Sequence, residues 1–143
     1  MNSTIKWVDG AMFVGITGSG HTVVVDGPPE AGGQNLGPRP MELVLTGLGS
    51  CTAFDVVDIL KKGRHLVTAC EVELLAERAA EVPKVFTRIH IHFKVSGAGL
   101  KSAAVERAVN LSAEKYCSAT IMLQASVVIT HDFEIVDTSA VAG

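Results

Sequence analysis

No long run of Lys or Arg occurs in this chain, KKGR (61–64) being the densest: 12 basic residues stand among 15 acidic ones across 143 positions, for a formal charge of −3. Nucleic-acid binding needs a basic patch or stripe as its electrostatic footprint, so that class is excluded, and nothing marks an acidic membrane partner. The first ten residues, MNSTIKWVDG, lack the basic start and apolar run of a signal peptide. A cytoplasmic home is expected, where thiols stay reduced and a disulfide is transient and functional. The stretch free of formal charge from Leu43 to Phe54 is short for a bilayer span and is bracketed by Glu42 and Asp55. It reads as part of a core helix. His90 and His92 stand two apart on one strand face, but no third His or Cys accompanies them, so no metal site is expected. The glycine-rich residues 31–37 lack the strand-to-helix frame of a phosphate loop. Neither an internal repeat nor a linker is present.

What the chain does have is apolar bulk. Hydrophobic residues make up 48%, and mean hydropathy is +0.35. One domain spanning 1–143 is long enough for a proper core, and this composition suggests more buried surface than one subunit can hide. Ile5 to Val14 and His21 to Asp26 are β-prone and predict an opening hairpin over 1–26. A Gly- and Pro-rich loop covers 27–40, and Pro40 suits the first position of a helix. That central helix is expected over about 41–62, stopped at Gly63, with Lys61, Lys62 and Arg64 compensating its negative end. A second hairpin follows over about 70–96. Its second strand alternates, with Val85, Thr87, Ile89, Ile91, Phe93 and Val95 on one face and Phe86, Arg88, His90, His92 and Lys94 on the other.

Ser102 is a candidate cap for a helix over about 102–116 whose inner side carries Val105, Ala108, Val109, Ser112 and Tyr116. A short helix from 118 and a last strand ending at 136 precede a small tail. This order gives an α+β fold with an antiparallel sheet. The central helix is apolar nearly all round, so it must be covered all round. One small sheet covers one side only. An obligate homodimer is therefore expected, its antiparallel sheets wrapped around central apolar helices, with Gly47 and Gly49 letting the helices approach closely.

Of the three cysteines, Cys70 opens a predicted strand and reads as a core thiol, and Trp7 and Tyr116 read as packing residues near an interface. Cys51 lies within the apolar helix. Cys117 precedes a short helix, so its sulfur is expected near the positive end of a dipole, where thiolate is favoured. Spacing alone leaves two readings open: a redox pair, or two buried hydrophobes.

The segments PMELVLTGLGSC (40–51) and SAEKYCS (112–118) resemble the OsmC/Ohr family of thiol peroxidases and peroxide-stress proteins. KWV (6–8), KGR (62–64) and ITH (129–131) are similar to its YhfA-like branch. The resemblance implies an intertwined α+β dimer with two active sites at the subunit interface. Cys51 matches the cysteine that attacks a hydroperoxide, organic in well-described relatives, and becomes a sulfenic acid. Cys117 matches the one that resolves it as a disulfide. External dithiols such as lipoyl groups restore the enzyme, and no metal or organic cofactor is implied. In the family an arginine of the N-terminal strands holds the thiolate, bonded to a glutamate near the start of the central helix.

Here the first 38 residues contain no arginine. Glu42 is the glutamate in the matching region, nine positions before Cys51, where many relatives place theirs ten before. Nine residues of helix turn a side chain through about half a revolution and rise about 13 Å, so Glu42 either reaches the site through a bend or from a partner subunit, or simply complements the helix dipole. Arg39, Arg64 and Arg88 are the candidate cations. Asp55, at i+4 from Cys51, shares its helix face, and a carboxylate there disfavours a second negative charge. Two further readings keep the fold: a dimer that binds a small hydrophobic ligand or acts as a redox switch, and an acyl-thioester hydrolase using Glu42 or Asp55 as base.

Overall fold

A computed structural model describes residues 1–139, so the end of the expected tail, 140–143, lies outside the described residues. The chain forms two compact units, Met1–Thr46 and Gly47–Gly143. In the first, β1 (Ser3–Asp9), β2 (Met12–Thr17) and β3 (Thr22–Val25) form an antiparallel sheet in chain order. The run 5–14, expected as one strand, is two. Gly10 and Ala11 turn the chain between the paired residues Asp9 and Met12, with Gly10 at φ +53°, a conformation that glycine adopts without strain. Beyond β3, the buried Asp26 gathers the loop: its carboxylate accepts from the backbone N–H of Gly27 (2.7 Å), Gln34 (3.0 Å) and Leu36 (3.1 Å). Burial pushes this carboxyl up, but the three N–H donors and Arg39 outweigh it and hold it below the usual carboxylate range.

Helix α1 (Pro40–Lys62) begins at the end of the first unit. Pro40 takes the first helical position, and Glu42 Oε1 accepts from the backbone N–H of Arg39 at 2.9 Å, the glutamate half of a capping box. At the far end the left-handed position belongs to Arg64, φ +61°, rather than to Gly63. The N–H groups of Arg64 and His65 close the last turn on Lys61 and Leu60. At 23 residues and mean hydropathy 1.6 over its most apolar window, α1 is long and apolar enough to cross a bilayer by length and composition. The charge-free run 43–54 is only its middle, and the helix runs through Glu42 and Asp55 as the expected span 41–62 requires. Only 28% of that window is buried, as a stripe through Leu48, Gly49, Thr52, Val56 and Leu60.

In the second unit, β4 (Leu66–Arg78), β5 (Phe86–Ala98) and β6 (Val128–Asp137) form a sheet with β5 central. β4 and β5 pair antiparallel, but β5 and β6 pair parallel, so the sheet is mixed and not antiparallel throughout. The reason is the connection: β6 is reached through α2 (Ser102–Leu111), a π-helical turn (Ser112–Tyr116) and α3 (Ser118–Leu123), a crossover long enough to bring the chain back to the end where β5 began.

Ile89, Ile91, Phe93 and Val95 form the buried face, as the alternation predicts. At the start of β5 the pattern breaks, because Arg78 pairs with Phe86 and Glu77 with Arg88, leaving Thr87 as a bulge. Phe86 is thereby buried and Val85 exposed. Gly49 lies close to β4, where an added Cβ would meet Leu74 Cδ1 at 2.7 Å, whereas Gly47 has open space around it. α2 is capped by Lys101, with Ser102 as its first residue and no side-chain cap. The helix expected to run to 116 passes at Ser112 into the π turn, closed by Cys117 N–H to Ser112 O at 2.9 Å. That wider turn carries Tyr116 outward, to 51% exposure, while Val105, Ala108, Val109 and Ser112 stay buried.

Candidate functional site

All groups of the site lie in the second unit. Cys51 and Asp55 project from one face of α1, one turn apart, and Cys117 caps α3. The sulfur atoms of Cys51 and Cys117 and a carboxylate oxygen of Asp55 all lie within 4.8 Å of one another. Cys117 is fully buried and Cys51 half-buried; both are free thiols. The position of Cys117 at the mouth of a helix is the one expected: its Sγ accepts from the Thr120 backbone N–H at 3.4 Å. Burial nevertheless pushes the Cys117 thiol up against the pull of Thr120, and the neighbouring Cys51 adds to the rise.

Sequence reasoning missed the hydroxyls that frame this cluster. Ser112 Oγ donates to Asp55 Oδ2 at 2.9 Å and lies 2.8 Å from the buried Thr52 Oγ1. The π turn makes this possible, because it keeps Ser112 inward and ends on Cys117. Such single turns recur at functional sites. The Thr120 hydroxyl is buried without a hydrogen-bond partner among the described residues. It lines a cavity of about 180 Å³ together with Thr52, Phe93, Val109 and His131. A larger pocket of about 510 Å³ opens on Asp55, between Ile59, Leu111, Tyr116 and the cations Lys62 and Arg107.

The supporting residues named from sequence are engaged elsewhere. Glu42 caps α1, and Arg39 donates through Nη1 to Asn35 Oδ1 (2.9 Å) and Gly37 O (3.0 Å). Arg64 is exposed at the end of α1, and Arg88 faces Glu77 at 3.9 Å. The pocket that opens on Asp55 instead carries Arg107 and Lys62, the latter bonded to Asp58 at 2.7 Å. Cys70 does not open a strand as the expected core thiol: β4 begins at Leu66, and Cys70 lies within it only half-buried, though burial pushes its thiol up. His90 and His92 acquire a carboxylate neighbour after all, since Asp132 on β6 bonds both at 3.0 and 2.7 Å.

A profile of OsmC-like proteins matches residues 32–132. The chain is 51% identical over 136 residues to Protein YhfA of Escherichia coli (strain K12), covering 95% of this chain and 98% of that one. Among solved structures, a hypothetical protein from Aquifex aeolicus VF5 superposes with a TM-score of 0.85 at 30% identity, over 96% of this chain and 97% of the other. The organic hydroperoxide resistance protein OhrB of Bacillus subtilis superposes at 0.63 with 16% identity, over 94% and 98%, a likeness of fold.

Proposed function

The chain belongs to the OsmC-like protein family, and from that premise we propose that it reduces hydroperoxides, organic ones foremost, with its own thiols in defence against oxidative stress. The observation that carries this reading is the approach of the Cys51 and Cys117 sulfurs to within 4.8 Å. A disulfide needs about 2.05 Å, a closure within reach of side-chain rotation and slight movement at the start of α3.

Cys51, the more accessible thiol, is the nucleophile. Its thiolate attacks the distal peroxide oxygen, the O–O bond breaks, and the alkoxide leaves as alcohol after taking a proton. Cys51 is then a sulfenic acid, two electrons more oxidised. The Cys117 thiol displaces hydroxide from that sulfur, releasing water and forming the disulfide. Burial suits Cys117 to this second role, because a raised thiol resists direct oxidation until a sulfenate stands beside it. A small or protein-bound dithiol then exchanges with the disulfide and leaves oxidised itself. No metal or organic cofactor enters these steps.

The reading includes an obligate homodimer in the cytoplasm. It is supported by the exposure in a single chain of Phe54 (69%), Met122 (70%) and Trp7 (67%), and by the open space at Gly47 of α1. Its test is a coupled assay on the purified chain with cumene hydroperoxide and dihydrolipoamide. Peroxide is consumed by the wild type and not by Cys51→Ser. Equal inertness of the two towards several peroxides refutes the proposal.

Asp55 favours a second reading. A carboxylate beside two thiols opposes thiolate formation, and the 510 Å³ pocket that it lines can hold a small apolar ligand without any redox step. Native mass spectrometry that finds such a ligand on a protein with unreactive thiols selects this reading.

A further inference from the structure

Two sulfurs and a carboxylate oxygen within 4.8 Å form a ligand set that the peroxide chemistry does not need in full. Asp55 has no part in the thiol exchange, yet it is half-buried beside the sulfurs and held there by Ser112. Among the described residues no Lys or Arg forms an ion pair with it. Ionised together, the three groups carry three negative charges in one small volume, and only a cation makes that state stable.

We propose that Cys51, Asp55 and Cys117 bind a soft divalent cation of the zinc type when both thiols are reduced. Zn–S bonds of about 2.3 Å and Zn–O bonds of about 2.0–2.2 Å put tetrahedral ligands roughly 3.5–3.8 Å apart, so atoms within 4.8 Å of one another need to contract by at most about 1.3 Å. Cys51 and Asp55 stand on one helix face, so closing the gap falls to Cys117, whose buried Sγ gives up its contact with the Thr120 N–H. Ser112, itself held by Thr52, supplies the outer hydrogen bond that orients a ligating carboxylate. Three protein ligands leave a fourth position for water, as in open zinc sites rather than closed structural ones.

Binding releases the two thiol protons to solvent and changes no oxidation state. The metal occupies the same sulfur lone pairs that attack the peroxide oxygen, so the metallated and oxidised forms exclude each other. Cation binding stands on the ligand geometry alone and holds whether or not the protein consumes peroxide.

The test is titration of the reduced full-length protein with zinc in competition with a chromophoric chelator. One zinc per chain is expected, with no binding after Cys51 and Cys117 are joined as a disulfide. Asp55→Asn should lower the affinity at least about tenfold while leaving the thiol count and circular dichroism unchanged. Cys51→Ala, which removes a ligand without adding a polar group, should abolish stoichiometric binding. Should Asp55→Asn not fold, the Cys51→Ala result decides. Wild-type protein that loses all zinc to the chelator, or variants that bind as tightly as wild type, would overturn the proposal. Peroxide consumption measured on the same samples tells its failure apart from failure of the peroxidase reading.

Discussion

Cys51 and Cys117 are 66 positions apart in the chain and become neighbours only through the fold. Their different burial gives them different fates on substitution. Cys51→Ser should abolish peroxide consumption. Cys117→Ser should allow a first oxidation and then stall, leaving a Cys51 sulfenate that a sulfenate-trapping reagent captures and mass spectrometry locates. If Cys117→Ser turns over at the wild-type rate with a dithiol, Cys117 is not the resolver.

Ser112→Ala leaves Asp55 and Thr52 without their shared partner, and losing a buried hydrogen bond to a charged group costs about 1.5–3 kcal/mol. Urea unfolding of this variant checks it, since an unchanged midpoint would mean that the network carries no weight. The two thiols were legible because they sit in recognisable motifs. The hydroxyls were not, because Ser112 meets Asp55 and Thr52 across separations of 57 and 60 residues, with no local pattern to announce the contact. For Arg39, Arg64 and Glu42 the sequence shows only their local tasks at the two ends of α1, because proximity to a thiol depends on packing within and between chains.

Helices and strands were read well wherever periodicity was uninterrupted. The start of α1 at Pro40 follows from proline's fixed φ and missing N–H, and the alternation of β5 gives its buried face. Readings failed where one residue alters the phase. The Thr87 bulge moves Phe86 into the core, the Gly10-Ala11 turn divides a strand, and the π turn at Ser112 rotates Tyr116 outward. The parallel pairing of β6 was hidden because direction depends on the path of the whole crossover.

Two substitutions follow from these elements. Arg64 holds a left-handed conformation that is unfavourable for a residue with a Cβ, so Arg64→Gly should stabilise the protein by about 1 kcal/mol. Thermal denaturation measures this, and a lower midpoint would contradict it. Gly49→Val forces a methyl group onto Leu74 and should destabilise by about 1–3 kcal/mol. Gly47→Leu, with open space in the single chain, should instead weaken the proposed dimer, seen as a shift towards monomer in sedimentation velocity.

For the molecule as a whole, apolar composition and scattered charge were the most legible properties, and they agree with the exposed hydrophobic side chains of an isolated chain. Titration behaviour was not legible, because it arises from pairs across strands. The Asp132 hydrogen bond raises His92, and His92 in turn holds the Asp132 carboxyl down. The His92 contribution to stability is therefore fully present below its unfolded value of about 6.5 and lost as pH rises through the raised one. The Asp132 contribution is present above about 3.9 and lost as pH falls through the lowered one. Both groups are partly exposed, so the effect is small and screened by salt. Asp132→Asn should flatten the fall in melting temperature as pH rises above about 6.5, the unfolded His value, relative to wild type. Parallel pH profiles would show that the pair contributes nothing.

The chemistry assigned to this fold is tested most directly by adding one equivalent of an organic hydroperoxide to the reduced protein and mapping its thiols by peptide mass spectrometry. The expected product is an intrachain bond between Cys51 and Cys117, with Cys70 still free. Three unmodified cysteines, or oxidation that spares Cys51, would contradict it.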